Sequence, residues 1–138
     1  MNDLDRRLTE LIDQEQITVI ETGKLTGHLN AAYHAESKLI FVRWGLDDVT
    51  RRCAIAHELG HAYHGHDCST PAYERIADEW AATRLITIDD VETAAYTCDG
   101  AAPAIAAEIG VTPQLLAVWT RLHEAGRIKQ NWNCLVFE

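Results

Sequence analysis

Residues 57–61 read His-Glu-Leu-Gly-His, and no other stretch limits what the chain can fold into so tightly. The surrounding pattern predicts one helix from about Asp47 to His66, with Asp47 as its N-cap. Residues four apart share a helix face, so His57 and His61 project together. Two imidazoles one turn apart can reach a single Zn²⁺, and Glu58 stands where a carboxylate can hold a water beside it. Val49, Cys53, Ala56, Gly60 and Tyr63 are expected to form the buried stripe of this helix, with the histidines on a neighbouring face. Gly60 in mid-helix costs about 1 kcal/mol against Ala, a loss usually compensated by close approach of another backbone.

The chain before the motif predicts a helix over Asp3–Gln14, capped by Asn2 or Asp3, then a strand around Ile17–Ile20. A second strand is expected within 28–34, a hairpin turn at Ala35–Lys38 and a third strand at Leu39–Arg43, together making a small, mainly antiparallel sheet. After the motif, helices are expected from about Ala72 to Ile86, from a cap at Thr87 to about Cys98, and from Pro103 to Ile109. A last helix follows over Gln114–Ala125, and Leu135-Val136-Phe137 fits a short strand. The expected class is therefore α+β, with five or six helices in one domain over 1–138 and the helix pair of about 103–125 packed on it.

A catalytic zinc site commonly has three protein ligands plus water, so two histidines leave it one donor short. Glu74 is the leading candidate: it opens Glu74-Arg75-Ile76-Ala77-Asp78 on the following helix, on a face shared with Ala77, Ala81 and Leu85. That face reads as buried, and a buried carboxylate demands a cation. Asp67, His64 and His66 are alternatives. Asp78, one turn beyond Glu74, can accept the N–H of a ligand histidine and so set its tautomer. Cys53 precedes His57 by one turn and is a conceivable extra ligand, although a small buried residue is the simpler reading. Cys68, Cys98 and Cys134 show no CxxC spacing and are expected to be free thiols.

Ala56-His57-Glu58-Leu59-Gly60-His61, followed by Glu74-x-x-Ala77-Asp78-x-x-Ala81, resembles the ImmA/IrrE family of small metallo-endopeptidases, which are common in phages and mobile elements. The resemblance runs from about Leu39 to Leu122. It implies a compact zincin-like α+β domain and zinc ligands at His57, His61 and Glu74, with Glu58 as the catalytic carboxylate. It also implies a protein substrate, which in the best-known members is a helix-turn-helix repressor. Where the family often continues its third-ligand helix into Leu-Leu-Met-Pro, this chain has Arg84-Leu85-Ile86-Thr87-Ile88. The oxyanion of the reaction needs a further donor, for which Tyr63, Tyr73, His64, His66 and Arg84 are candidates. An extended substrate is expected to pair with a sheet edge at Leu39–Arg43.

The net charge of −9 argues against nonspecific nucleic-acid binding and against adhesion to anionic membranes. No apolar stretch approaches the length of a membrane span, and the polar N-terminus lacks a signal-peptide core, so a cytoplasmic protein is expected. Residues 104–119 have the cadence of a helix-turn-helix, a rival reading as a DNA-binding unit. Only Arg121, Arg127 and Lys129 stand near that second helix to meet phosphates, against Glu108 and Glu124, so two packed helices closing the domain explain the pattern better. A zinc-containing module that binds a partner with little peptidase activity is a third reading.

Overall fold

A computed structural model describes residues 2–128. Its described residues form six helices and three strands: α1 (Asp3–Gln14), β1 (Thr18–Thr22), β2 (Ala31–His34), β3 (Leu39–Arg43), α2 (Asp48–His64), α3 (Pro71–Leu85), α4 (Ile88–Thr97), α5 (Ala102–Ile109) and α6 (Pro113–Glu124). The segment 135–137, expected as a strand, lies outside the described residues.

Helix ends follow local chemistry. Asn2 caps α1, and the Asp47 side chain accepts from Thr50 N–H to start α2. Thr70 caps α3 with Pro71 in the first turn, where a missing N–H does no harm. Thr87 and Asp90 form a reciprocal capping box on α4. Gly65 ends α2 in a left-handed conformation, φ +70°, that a side chain rarely adopts.

The sheet has the order β1-β3-β2 and is mixed rather than mainly antiparallel. β2 and β3 form the expected hairpin, but β1 runs parallel to β3, with Thr18 opposite Leu39. The physical reason is the connection: residues 23–30 carry the chain past the position of β3 to the far edge, so the hairpin returns into the middle. Arg43 holds that connection together, donating to the carbonyls of Leu29 at 2.8 Å, Gly27 at 2.9 Å and Leu25 at 3.4 Å.

α2 packs against the sheet on one side and α3 on the other. Its buried residues are Arg52, Ile55, Ala56, Leu59, Gly60 and His61, so the expected stripe is displaced. Tyr63 is 50 % exposed, lying against Trp80 with the Arg84 guanidinium above both rings. The true stripe starts at Arg52, only 5 % exposed, whose charge disguised it. Its guanidinium bonds Asp5 of α1 at 2.9 Å and the carbonyl of Gly110 between α5 and α6, tying α1 and the α5–α6 turn to α2. Gly60 meets α3 backbone to backbone: a Cβ there would stand 2.9 Å from both Cα and O of Ala77. The core joins Leu4, Leu8 and Leu11 of α1 to Ile40 and Val42 of β3. It continues through Ile55 and Leu59 of α2, Trp80 and Leu85 of α3, and Leu116 and Trp119 of α6.

Candidate metal centre

The close α2–α3 contact brings the motif against the carboxylates of the next helix. His57 Nε2 and His61 Nε2 lie 3.2 Å apart, and the two Glu74 oxygens reach one each: Oε1 is 2.9 Å from His57 Nε2, Oε2 2.9 Å from His61 Nε2. Asp78 Oδ1 accepts from His57 Nδ1 at 2.7 Å, and Ser69 Oγ donates to Glu74 Oε2 at 3.1 Å. Glu58 Oε2 is 3.9 Å from His57 Nε2, beside the triangle rather than in it.

These spacings suit a cation. Donors at zinc–nitrogen distances of about 2.0–2.1 Å in a tetrahedron stand roughly 3.3 Å apart, slightly wider than the triangle found here. A donor from each of His57, Glu58 and His61 also falls within 4.8 Å of the others, a looser set that uses Glu58 in place of Glu74. Glu74 approaches both imidazoles a full ångström closer than Glu58 approaches His57.

The electrostatics of the site reflect three carboxylates facing two imidazoles. Burial alone would lower His57, but the bond to Asp78, the charges of Asp78 and Glu58 and the bond to Glu74 outweigh it and push the imidazole up to about 9. Burial pushes Glu58 up to about 7, aided by the Glu74 charge and opposed by the His57 charge and a hydrogen bond from the Tyr33 backbone N–H. Burial and the charge of His57 hold His61 below the ordinary imidazole range. Burial works against ionised Glu74, yet the bonds and charges of the imidazoles keep its carboxyl below the usual range.

One expectation fails here. Glu74 and Asp78 are not on a buried face: their side chains are 41 % and 48 % exposed. α3 buries Ala77, Trp80, Ala81, Ala82 and Leu85, and the two carboxylates sit at the border of that face, where α3 meets the opening beside α2.

The opening is a cleft of about 250 Å³ lined by Leu29, Ala31, Glu58, His61, Asp67 and Glu74. A second cavity of about 210 Å³ flanks the other side of His57, between Asn30, Cys53, Asp78, Thr112, Leu115 and Val118. Cys53 sits in that wall, its Sγ accepting from Thr112 N–H at 3.4 Å, and burial pushes its thiol up; it is a packing residue, not a donor to the triangle. Of the other ligand candidates, Asp67 lines the cleft but is not part of the triangle, His64 Nδ1 bonds the Gly60 carbonyl at 2.7 Å, and His66 Nδ1 meets His61 Nδ1 at 3.0 Å. Of the five oxyanion candidates, Tyr63 and Arg84 cover Trp80 and Tyr73 stacks on His66. Sequence reasoning missed Ser69 and the Tyr33 backbone. The first had no spacing signal, and the second is legible only once β2 is known to be an edge.

α5 and α6 meet at 105°, as in a helix-turn-helix. However, α6 turns Leu115, Leu116, Trp119 and Leu122 inward, and Arg121 stands 3.8 Å from Glu79 of α3. Among the described residues no single helix is long and apolar enough to cross a membrane.

A family model described as the IrrE N-terminal-like domain, Peptidase_M78, matches residues 13–119, from the end of α1 into α6. No curated protein gave a significant match. The match spans most of the chain and every residue of the triangle. The chain therefore belongs to the Peptidase_M78 family, a family of metallopeptidase type.

Proposed function

We propose that the protein is a zinc-dependent endopeptidase acting on a protein substrate, with a helix-turn-helix repressor as the first substrate to test. The observation that carries this reading is the convergence of His57 Nε2, His61 Nε2 and both Glu74 oxygens within 2.9–3.2 Å, with Glu58 alongside.

In this reading His57, His61 and Glu74 hold the ion. Asp78 fixes the His57 tautomer by taking its Nδ1 proton in a hydrogen bond, and Ser69 restrains Glu74. When bound, zinc supplies Lewis acidity, making a water acidic near neutral pH and polarising a carbonyl. Glu58 handles the proton. Its carboxyl, raised by burial to about 7, can accept a proton from water and pass it to the leaving amine.

The substrate edge differs from the one expected. β3 is the central strand, paired on both sides, so Leu39–Arg43 has no free backbone to offer. β2 is the edge that lines the cleft, and an extended segment laid along Ala31–His34 passes over Glu58 and the triangle.

The test is co-expression of a repressor with wild type, Glu58→Gln and Glu74→Gln, reading cleavage on gels and metal content of each protein. Glu58→Gln keeps the metal and loses about 10²–10⁴ in rate, the usual cost of removing a general base. Glu74→Gln loses metal first, and activity with it. Wild-type cleavage by Glu58→Gln would falsify the peptidase mechanism. If no form cleaves but all bind the repressor alike, a metal-containing binding module replaces it.

A further inference from the structure

His66 lies just past the motif helix, outside the donor triangle. The left-handed turn at Gly65 reverses the chain, and the His66 backbone N–H bonds back to the His61 carbonyl at 2.9 Å. This folds the His66 side chain under His61, where the two Nδ1 atoms stand 3.0 Å apart. The His66 ring is only 9 % exposed and lies flat on Tyr73, with centroids 3.8 Å apart and planes 7° from parallel. A second near-parallel ring, His64, stands 5.4 Å away and is itself held by its bond to the Gly60 carbonyl. His66 is therefore fixed in both position and tilt.

A bond between two Nδ1 atoms needs one donor and one acceptor. His61 turns its Nε2 toward His57 and Glu74, and a nitrogen that binds a cation there must present a lone pair. Its proton is then on Nδ1, so His61 donates and His66 accepts, carrying its own proton on Nε2. We propose that His66 is the positioning residue for His61: a neutral imidazole acceptor that selects the His61 tautomer and aims its Nε2 into the triangle. The proposal rests on the metallopeptidase reading and deepens it. It makes the two ligand imidazoles unequal. His57 leans on the half-exposed Asp78 carboxylate, whereas His61 leans on an uncharged ring clamped against α3. A neutral partner adds no negative charge to a site that already has Glu58, Glu74 and Asp78 around it.

The experiment measures Zn²⁺ and Co²⁺ affinity of the full chain by competition with a chromophoric chelator, together with the visible spectrum of the Co²⁺ form. His66→Phe keeps a ring on Tyr73 but removes the acceptor. His66→Asn places an oxygen near the lost Nδ1 but removes the ring. The expected result is a fall of about 10–100-fold in affinity and an altered Co²⁺ spectrum for His66→Phe, with the metal-free melting temperature close to wild type. His66→Asn retains most of the affinity. Nitrogen NMR of the zinc-loaded wild type gives a reading that needs no variant: His66 Nδ1 should show the chemical shift of the unprotonated, acceptor nitrogen of its ring. Wild-type affinity and spectrum in His66→Phe, equal loss in both variants, or a proton on His66 Nδ1 overturns the role of His66 while leaving the metal site standing. A wild-type chain that binds neither ion overturns the metallopeptidase reading, and the proposal with it.

Discussion

The proton on His57 is the natural competitor of a metal ion. In the metal-free site this imidazole is held up to about 9, so at neutral pH it is charged and must lose a proton before it can act as a ligand. Apparent zinc affinity should therefore rise about tenfold per pH unit up to roughly 9 and level off above it. Chelator competition between pH 6 and 10 measures the slope; a flat profile below 9 contradicts the assignment of His57 as a ligand. The same shift has a stability sign. A base whose folded value is raised stabilises fully below its ordinary value of 6.5 and loses that stabilisation as pH climbs through about 9. The chelated protein should thus lose thermal stability across that window, and Asp78→Asn, which removes the strongest upward pull on His57, should flatten the loss. At this scale the sequence was most legible where chemistry is carried by spacing alone. His57, Glu58 and His61 follow from a helical repeat, and Glu74 and Asp78 from the next one. Ser69, the Tyr33 backbone and the contact of His66 with His61 depend on a turn and on a strand edge, for which no spacing rule exists.

Caps and periodicity mark the helices and strands of this chain, whereas faces and partners depend on contacts between elements. The stripe of α2 was misplaced because Arg52 opens it, and a charged residue in a core position signals itself only through its partners Asp5 and Gly110. Short strands with short connections usually pair antiparallel, as β2 and β3 do. The pairing of β1 with β3 is decided instead by the loop that Arg43 holds. Gly60, in contrast, behaves as its cost implied. Gly60→Ala gains about 1 kcal/mol of helix propensity but drives a methyl to within 2.9 Å of Ala77 backbone, and overpacking of this kind costs about 1–3 kcal/mol. A net loss of stability by urea denaturation is expected, and a gain would show that α2 and α3 separate freely. A second pair acts between α1 and α4. Arg7 bonds the Leu85 carbonyl at 2.7 Å and Asp90 at 2.6 Å. Although burial works against the charged form, the Arg7 bond and the Thr87 cap bonds hold the Asp90 carboxyl below its usual range. A lowered acid stabilises above its ordinary value of 3.8 and loses that contribution as pH falls through its folded value. Asp90→Asn should therefore cost about 1–3 kcal/mol at pH 7, and its deficit against wild type should shrink in acid, below pH 4. A deficit that stays constant from pH 7 to pH 3 would assign it to packing.

For the molecule as a whole, the half-exposed positions of Glu74 and Asp78 change what metal removal should do. Neither carboxylate is stranded in an apolar interior, and the core from Leu4 to Trp119 does not pass through the triangle. The chelated protein should stay folded, with near-native near-ultraviolet circular dichroism, and melt at a lower temperature. With free zinc at a thousand times its dissociation constant, the bound form gains about 4 kcal/mol. An unfolded apo form would mean that the ion is part of the fold's core, and an unchanged melting temperature would mean that no ion binds the native state. The backbone contact at Gly60 also has a consequence far from stability. Both imidazoles ride on α2 and the Glu74 carboxylate on α3, so the gap between the two helices acts as the jaw of a calliper closed on the ion. Ala77, which Gly60 touches, stands one turn from Glu74. A methyl at 60 would open the jaw, and a wider triangle prefers a larger ion. In the proposed metal reading, Gly60→Ala should therefore shift the preference from Zn²⁺ toward a larger ion, which competition between Zn²⁺ and Cd²⁺ would read; an unchanged preference would show that the spacing of α2 and α3 does not set it.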